Sequence, residues 1–449
     1  MANHASAGKP FYLSAGPIRL KFQDGELRYL RVGEREIVRR VYFAAREMDF
    51  DTAMPTFTQM EVQDNGECFF IKLSAVCNGP TIDFRWQGFI EGTAEGKIIF
   101  TVSGSSPNGF QSPRVGLCLL FGVEALAGTP FEVTDVQGKI EQGTFPRDVS
   151  PTFLVSNHFN ELRYRCADGL AVRCGLTNRG SGMEDQRNYC DSSYKAYHSM
   201  DFPYPTVPAG MERADSCTLE VTGAPHTAHG RKVVHVSLRP NEGLRLPLLP
   251  AEAPLIDSLA FVTLNEHREP YVDAEQITWE YNPSAHLPDN DMFMENVSAI
   301  IDQVRTVRTF APRAKIRIDP IHFTWPHPLA APDPRIGKPF AAAWTAVMLT
   351  FLARAGVDEA VFAVGPGPSE DLLRHFRRYA GHPVRVADIS GPYPQPVQAL
   401  AIGDGNDLRI WLINMTDAPQ RLVFGEQYCS QCEIELEPYE VREIDAGNQ

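Results

Sequence analysis

The chain has 449 residues, of which 43% are hydrophobic, so it can bury sizeable cores, and a disordered or fibrous protein is excluded. At the usual domain size, roughly two to four domains are expected. The formal net charge of −14 at pH 7 is spread along the chain, which leaves no basic surface for nucleic acid or an anionic membrane and favours small-molecule chemistry or a protein partner.

The N-terminus and the cysteines both predict a soluble cytoplasmic protein. Residues 1–16 lack the apolar run of a secretory signal, and the longest apolar stretch, residues 341–353, is too short to span a bilayer. The nine cysteines, an odd number at irregular spacing, favour reduced thiols over a disulfide framework. The close pair Cys429 and Cys432 has no further zinc ligands nearby, so we predict neither a metal site nor a cofactor.

Residues 11–222 are dominated by apolar and polar residues that alternate with a period of two. Ile18, Leu20 and Phe22, for example, alternate with polar residues and lead into an Asp-Gly turn. This alternation is typical of half-buried antiparallel strands, and no amphipathic helix interrupts it. The pattern therefore predicts a large N-terminal β-sandwich.

The remaining chain changes its pattern twice. Residues 223–256 are punctuated by glycine, histidine and proline, which predicts a linker or seam between domains. Residues 257–390 alternate strand with helix, which predicts parallel strands, the first at about residues 259–263. A single helix is predicted before the strand at residues 315–319, with Asp289 or Asn290 as its cap, and a later helix at residues 340–355 is predicted to end at Gly356. Because a closed eight-stranded barrel needs roughly 200 residues or more, we predict a truncated, half TIM-barrel-like α/β domain here. Alternation returns over residues 396–446 and predicts a small C-terminal antiparallel β domain. The expected fold class is thus multidomain β plus α/β.

The densest group of polar residues lies at positions 183–195, with the sequence Met-Glu-Asp-Gln-Arg-Asn-Tyr-Cys-Asp-Ser-Ser-Tyr-Lys. Carboxylates there can act as a general base, and the amides and cations can hold a developing oxyanion or a substrate. The alternative is a salt-bridged loop that only braces the sandwich. The catalytic candidates are Glu184 and Asp185, and the substrate-binding candidates are Arg187, Asn188, Asp191 and Lys195.

This run resembles the N-terminal domain of the D-apionate lactonase family. The resemblance implies a β domain, a TIM-barrel domain and a C-terminal β domain, with hydrolysis of a branched sugar-acid lactone as the activity. The 183–195 run is the most specific match. Further matches follow the order of the family, at residues 82–88, 143–146, 281–286, 295–296, 333–335 and 343–344.

The chain departs from that family in two respects. It lacks the front half of the barrel between Leu249 and Leu255. The strand at residues 361–367 has no carboxylate, whereas the family carries a glutamate followed by a Thr-Thr-Gly turn. Both departures bear on catalysis, because they remove parts of the domain that the resemblance associates with chemistry.

Polar residues that follow the predicted parallel strands form a second set of candidates, because barrel enzymes keep their chemistry at the carboxyl ends of their strands. An Asn-Glu pair at 265–266 is similar to the acid/base dyad of barrel glycosidases, which need a second carboxylate as partner. The alternative for each is a structural or surface role. The catalytic candidates of this set are Glu266 and Glu280, and the substrate-binding candidates are Asn265, His267, Asn282 and His286.

Three functions follow from these patterns. The first is a lactonase-like hydrolase in which a carboxylate activates water and Arg187 or Lys195 holds the oxyanion near the mouth of the α/β segment. The second is a sugar-acid binding or scaffold protein that kept the fold and lost the chemistry. The third is a glycosidase that uses Glu266. In each case the partner is a small carbohydrate or sugar-acid lactone. The exposed edges of a half barrel further predict a homodimer.

Overall fold

The computed structural model describes residues 3–4, 8, 10–166, 168–177, 181–198, 206–223, 233–240, 242–250, 253, 258–284, 289–323, 333–424 and 433–445. The chain divides into two compact units. The first comprises residues 1–186 and 193–229, and the second comprises residues 187–192 and 230–449. Among the described residues, no helix has the length and hydropathy needed to cross a membrane.

The first unit consists of short antiparallel strands and one short helix. Within the described residues its elements are β1 (Asn3–His4), β2 (Phe11–Ala15), β3 (Ile18–Gln23), β4 (Glu26–Val32), β5 (Arg35–Arg46), β6 (Pro55–Asp64), β7 (Phe69–Asn78), β8 (Asp83–Gly92), β9 (Lys97–Ser105), β10 (Phe110–Gln111), β11 (Arg114–Gly122), α1 (Val123–Leu126), β12 (Pro130–Thr134), β13 (Ile140–Thr144), β14 (Leu154–Phe159), β15 (Glu161–Arg165), β16 (Ala171–Leu176), β17 (Ser181–Asp185), β18 (Ser193–His198), β19 (Thr206–Val207) and β20 (Arg213–Thr222).

Two large sheets build this unit. One is ten-stranded, in the order β1-β6-β7-β8-β9-β20-β16-β15-β12-β13, and the other is eight-stranded, in the order β14-β17-β18-β11-β5-β4-β3-β2. Alternate residues of both sheets enter one hydrophobic cluster, for example Phe84 and Phe100 from the first and Phe43 and Leu119 from the second. The alternation in the sequence therefore predicted the β fold of this region correctly, because each strand buries one of its two faces.

The second unit mixes strands and helices. Its described elements are β21 (Val234–Leu238), β22 (Leu259–Ala260), α2 (Phe261–Glu266), β23 (Gln276–Tyr281), α3 (Asn290–Asn296), α4 (Ala299–Phe310), β24 (Lys315–His322), α5 (Pro339–Ala355), β25 (Glu359–Ala363), α6 (Pro368–Phe376), β26 (Val384–Arg385), β27 (Ala387–Ser390), β28 (Val397–Ile402), β29 (Arg409–Asn414), β30 (Gln420–Phe424), β31 (Glu433–Leu436) and β32 (Val441–Asp445).

The parallel part of this unit is a four-stranded sheet in the order β22-β23-β24-β25. One face of β23 packs towards helix α4, since the Trp279 indole donates a hydrogen bond to Gln303 Oε1 at 2.9 Å. At the β25 edge, Leu248 forms a parallel bridge to Ala360, so the chain itself covers part of that edge. The half-barrel prediction is confirmed in this form, whereas the homodimer stays a prediction.

The C-terminal part contains two further four-stranded sheets, in the orders β26-β28-β29-β32 and β27-β21-β30-β31. They share a hydrophobic cluster that includes Val236, Leu412 and Phe424. Strand β21 lies inside the 223–256 segment for which we predicted only a connection, and it pairs in parallel with β30. The strand was missed because its short alternating run lies among glycine, histidine and proline residues and pairs with strands that are distant in sequence. The domain boundaries themselves stay predictions.

Two local predictions need correction. The strand predicted over residues 259–263 ends at Ala260, because Phe261 and Leu264, three residues apart, are both buried in helix α2. The single helix predicted after residue 289 is two helices, α3 and α4, with a break at residues 297–298. Its predicted cap is correct, since the Asp289 carboxylate accepts a hydrogen bond from the Met292 amide at 3.0 Å.

Candidate functional site

The 183–195 motif begins as strand β17, passes through a 3-10 turn at Gln186–Tyr189 and returns as strand β18. Asp185 ends β17 with its side chain fully buried. Its carboxylate accepts a hydrogen bond from the Ser150 amide at 2.9 Å. A buried carboxylate held by a backbone amide serves to fix a neighbouring loop. Asp185 was predicted to be catalytic, and in the structure its carboxylate holds the backbone at Ser150.

Glu184 is the other carboxylate of strand β17, and it is half-buried. Its carboxylate accepts hydrogen bonds from the Tyr197 hydroxyl and, at 2.5 Å, from the Gln186 side-chain amide. A guanidinium nitrogen of Arg114 lies 3.7 Å from the same carboxylate. The Glu184 carboxylate is thus engaged by two side-chain donors and lies near a guanidinium group.

Lys195 is fully buried opposite Glu184 on the neighbouring strand. Its ammonium group lies 3.4 Å from the side-chain oxygen of Gln186. Burial lowers the pKa of Lys195 well below its ordinary value, and the charges of Arg46 and Arg114 lower it further. Lys195 therefore lies within a group of cations and carries its proton weakly.

Residues 187–192 belong to the second unit. The fully buried Arg187 forms an ion pair with Asp302 on helix α4, with Nη1 and Oδ2 2.9 Å apart. The Gln303 side-chain amide donates to the Arg187 carbonyl at 2.7 Å. These contacts anchor the turn on helix α4. The predicted oxyanion clamp is thus engaged with a carboxylate of the protein.

The rest of this segment contacts the residues that follow the parallel strands. The Asn265 side-chain amide donates to Asn188 Oδ1 at 2.9 Å, which brings two predicted binding residues together. The backbone amide of Ser192 donates to Asn296 Oδ1 at 3.2 Å. Asp191, also a predicted binding residue, lies in the same segment and is buried.

Cys190 in this segment is the one cysteine next to the strand ends among the described residues. Burial raises the pKa of its thiol to about 12, and the backbone amide of Asn282 and the side-chain amide of Gln303 donate to its sulfur. The thiolate, which is the nucleophilic form, is therefore scarce at neutral pH. Cys190 is a packed thiol.

Glu280 lies near the carboxyl end of strand β23 and is half-buried. Its neighbours Trp279 and Tyr281 point to the helices, where the Tyr281 hydroxyl donates to the Asn296 carbonyl. Strand alternation therefore directs Glu280 to the opposite face, which is the inner face in a closed barrel. Burial raises the pKa of the Glu280 carboxyl above its ordinary value.

Asn282 follows β23 immediately and is only 4% exposed. Its side-chain oxygen accepts hydrogen bonds from the Ser284 amide at 2.9 Å and the Ser284 hydroxyl at 2.6 Å. Its side-chain nitrogen is buried and has no hydrogen-bond partner within the described part of the chain. A buried amide donor left in this state costs free energy unless a ligand accepts from it.

The next strand, β24, carries charged residues on its inner face. Arg317 contacts Asp319 at 2.6 Å and Glu359 of β25 at 3.5 Å. His322 ends β24 half-buried, and burial lowers its pKa while the charge of Asp319 acts in the opposite direction. His322 is therefore mostly neutral near pH 7 and able to accept a proton.

The remaining predicted residues lie elsewhere. Glu266 and His267 are exposed at the end of helix α2. His286 falls outside the described residues, as do Cys429 and Cys432. In the part of the chain that is described, no group of three or more histidine, cysteine, aspartate or glutamate residues could hold a metal ion. The absence of a metal and a cofactor stays a prediction.

Sequence reasoning missed the residues that position the 187–192 segment, chiefly Asp302, Gln303 and Asn296. One signal was available. Gln303 is a polar residue on the apolar stripe of its helix, between Ile300 and Val307, and is fully buried. A buried amide on a core face needs hydrogen-bond partners, and here it finds Trp279 and Arg187.

The fold and these strand-end residues define a β domain followed by an α/β segment of the TIM-barrel type. Residues 1–224 match the family model for the N-terminal domain of D-apionate lactonase, and residues 258–377 match the model for its TIM barrel domain. The chain belongs to the D-apionate lactonase family.

Similarity to individual proteins is partial. The D-apionate lactonase of Brucella anthropi is 27% identical over 296 residues, which are 62% of this chain and 46% of that protein. The chain thus spans about half the length of this curated relative.

Solved structures resemble parts of the chain. A galactose mutarotase-like protein from Lactobacillus casei aligns at 10% identity, covering 48% of this chain and 100% of its own, with a TM-score of 0.32. CelM2, a bifunctional glucanase-xylanase from a metagenome library, aligns at 13% identity over 38% of this chain and 44% of its own, with a TM-score of 0.29. Scores this low support no conclusion about fold or function.

Proposed function

We propose that this protein hydrolyses a sugar-acid lactone, with Glu280 as the general base that activates water and Asn282 as the oxyanion donor. The observation that carries this proposal is their pairing at the end of β23. A half-buried carboxyl group with a raised pKa stands two residues before a buried amide nitrogen that has no partner among the described residues. The lactone class comes from the family, whose curated member is named as a D-apionate lactonase.

The chemistry requires one proton to move twice. The Glu280 carboxylate takes a proton from water while the water oxygen bonds to the lactone carbonyl carbon. The carbonyl oxygen becomes an oxyanion and accepts a hydrogen bond from the Asn282 side-chain nitrogen. The bond from that carbon to the ring oxygen then breaks, the ring oxygen takes the proton from Glu280, and the open hydroxy acid is the product.

The raised pKa of Glu280 suits this task. A general base is most effective when its pKa lies near the working pH, and burial moves a carboxyl group in that direction. Glu184 accepts hydrogen bonds from neighbouring side chains, and Asp185 accepts one from a backbone amide. Both carboxylates are thus engaged by donors of the protein itself, so we assign the base to Glu280.

A second candidate function is a sugar-acid binding protein without turnover. It is favoured by strand β25, whose carboxyl end consists of Phe362 and Ala363 and offers no carboxylate. A binding protein would use the side-chain nitrogen of Asn282 to donate a hydrogen bond to a ligand oxygen. It would not need a general base with a raised pKa.

The test compares Glu280→Gln with Glu266→Gln, a matched change at an exposed glutamate of the same unit. Wild type and both variants are assayed against a panel of aldonolactones and aryl glycosides. We expect lactone hydrolysis to fall by about 10²–10⁴-fold in Glu280→Gln and to stay unchanged in Glu266→Gln. Equal activity in wild type and Glu280→Gln would refute the proposed base. If wild type bound lactones but hydrolysed none of them, the binding-protein function would be favoured. If wild type hydrolysed a glycoside and Glu266→Gln did not, a glycosidase would be favoured.

A further inference from the structure

The eight-stranded sheet of the first unit has a cationic face on the side away from its core. On β5, Phe43 and Ala45 enter the core cluster, so Tyr42 and Arg46 face the other way. The same alternation on β11 turns Arg114 to that side, directly opposite Arg46 in the strand register. All three of these polar side chains are at least nine-tenths buried.

These side chains present hydrogen-bond donors that nothing in the described part of the chain accepts. Arg46 donates from Nη1 to the Phe50 carbonyl at 2.7 Å, but its Nε and Nη2 are buried without a partner. The Nε of Arg114 and the hydroxyl of Tyr42 are in the same state. Nε and Nη2 form the side-on edge of a guanidinium group, which matches the two oxygens of a carboxylate.

Cationic side chains of the described residues also lie close together on this face. Arg46, Arg114 and Lys195 are close enough for the two arginines to depress the pKa of Lys195. Glu184 is the carboxylate beside them, 3.7 Å from Arg114, and it already accepts from Tyr197. Two buried guanidinium groups on directly opposite residues repel each other, and a bound anion offsets that repulsion.

We propose that Arg46, Arg114 and Tyr42 form a buried binding site for the carboxylate of a small hydroxy acid. The two open donors of Arg46, the Nε of Arg114 and the Tyr42 hydroxyl are four donors on one face of the sheet, and the charges of Arg46 and Arg114 both act on Tyr42. A carboxylate offers four lone-pair positions on its two oxygens. Burial raises the pKa of Tyr42, so its hydroxyl keeps the proton that it donates.

This site goes beyond the proposed hydrolysis and does not depend on it. It lies in the first unit, and none of its residues serves as base or oxyanion donor in the proposed reaction. Binding is therefore measured with carboxylates that cannot turn over.

The experiment is calorimetric titration of the full chain with sodium gluconate, acetate and inorganic phosphate at constant ionic strength. We expect saturable binding of gluconate to wild type. The affinity should fall by about tenfold or more in Arg46→Lys, because lysine keeps the positive charge but lacks the bidentate pair of donors, Nε and Nη2. Tyr42→Phe, which removes one hydroxyl, weakens binding in the same way and serves if Arg46→Lys does not fold.

The matched control is Arg39→Lys. Arg39 lies on the same strand, seven positions before Arg46, and its largely buried side chain forms an ion pair with Glu36 at 2.8 Å, so gluconate binding should be unchanged. Gluconate binding that persists at full strength in both Arg46→Lys and Tyr42→Phe overturns the site. Binding of phosphate through Arg46 without binding of gluconate overturns the carboxylate assignment. Glu280→Gln should bind gluconate at this site as wild type does, which separates this result from the proposed hydrolysis.

Discussion

The 183–195 motif and the end of strand β23 differ in how fully their polar groups are satisfied. In the motif, Asp185 and Arg187 are both buried and both engaged, one by a backbone amide and the other by a carboxylate. At the end of β23, Glu280 has a raised pKa caused by burial alone, and the Asn282 side-chain nitrogen has no partner in the described residues. A dense polar run can therefore be fully engaged by other parts of the protein, while two isolated polar residues at a strand end remain available to a ligand.

The largest expected effect tests whether the motif is structural. Arg187→Ala removes one half of a buried ion pair and leaves the Asp302 carboxylate, whose side chain is 14% exposed, without that partner. Breaking a buried pair in this way typically costs about 3–5 kcal/mol. We expect a loss of that size in the free energy of unfolding, measured by urea denaturation.

Arg305→Ala is the matched control, because Arg305 pairs with the same Asp302 from a position that is 45% exposed. An exposed pair contributes about 0–1 kcal/mol, so this variant should be nearly as stable as wild type. If Arg187→Ala were as stable as Arg305→Ala but failed to bind substrate, the motif would be functional and the contrast with β23 would be lost.

The second effect tests the availability of Asn282. Asn282→Asp keeps the side-chain oxygen that accepts from Ser284 and replaces the donor nitrogen with an acceptor. Loss of one oxyanion donor lowers kcat by about 10²–10³-fold, or roughly 3–4 kcal/mol. We expect this fall in kcat with little change in KM, measured on the pH plateau so that the added charge does not reduce ionisation of Glu280.

Ser284→Ala provides the comparison for that variant. It removes the hydroxyl that donates to Asn282 and leaves the side-chain nitrogen in place. Its kcat should stay within a few-fold of wild type. A similar loss of kcat in both variants would mean that turn geometry, and not the nitrogen, matters.

Much of the fold could be predicted from the sequence because its signals are local. Alternation predicted the β domain, and strand-helix repeats predicted the half barrel. Gly356 ends helix α5 in the left-handed conformation, with φ of 71°, as its position after the apolar run predicted. Strand β21 was missed because its partners β27 and β30 lie far along the chain, and no local pattern records such pairing.

The site was less predictable, because contacts between residues that are distant in sequence leave no local pattern. The residue types were found, since Glu280 and Asn282 stand where a parallel strand ends. Whether each of these side chains has a hydrogen-bond or ion-pair partner could not be predicted, because the partners lie far away in the sequence. Arg187 and Asp302 are 115 positions apart, so the sequence alone could not show that the predicted oxyanion clamp is already paired.

The smallest expected effect concerns pH and the carboxyl group of Glu280. Burial disfavours its charged form, so the base becomes available only above a pKa that is higher than the ordinary glutamate value of about 4.3. Activity should therefore rise with pH through that raised pKa. Stability should change in the opposite direction. The folded state binds this proton more tightly than the unfolded state, so the stabilisation is present below the unfolded pKa and is lost as pH rises through the folded pKa.

Two measurements on one group make this test sharp. In wild type, the acid limb of kcat/KM should have its midpoint at the raised pKa, and Tm relative to Glu280→Gln should fall as pH rises and level off at that same pKa. In Glu266→Gln both curves should match wild type, because that glutamate is exposed. An acid limb at the ordinary glutamate pKa would show that the residue responsible is solvated. Glu280 would then not be the general base. The end of β23 would be no better a candidate for ligand binding than the 183–195 motif.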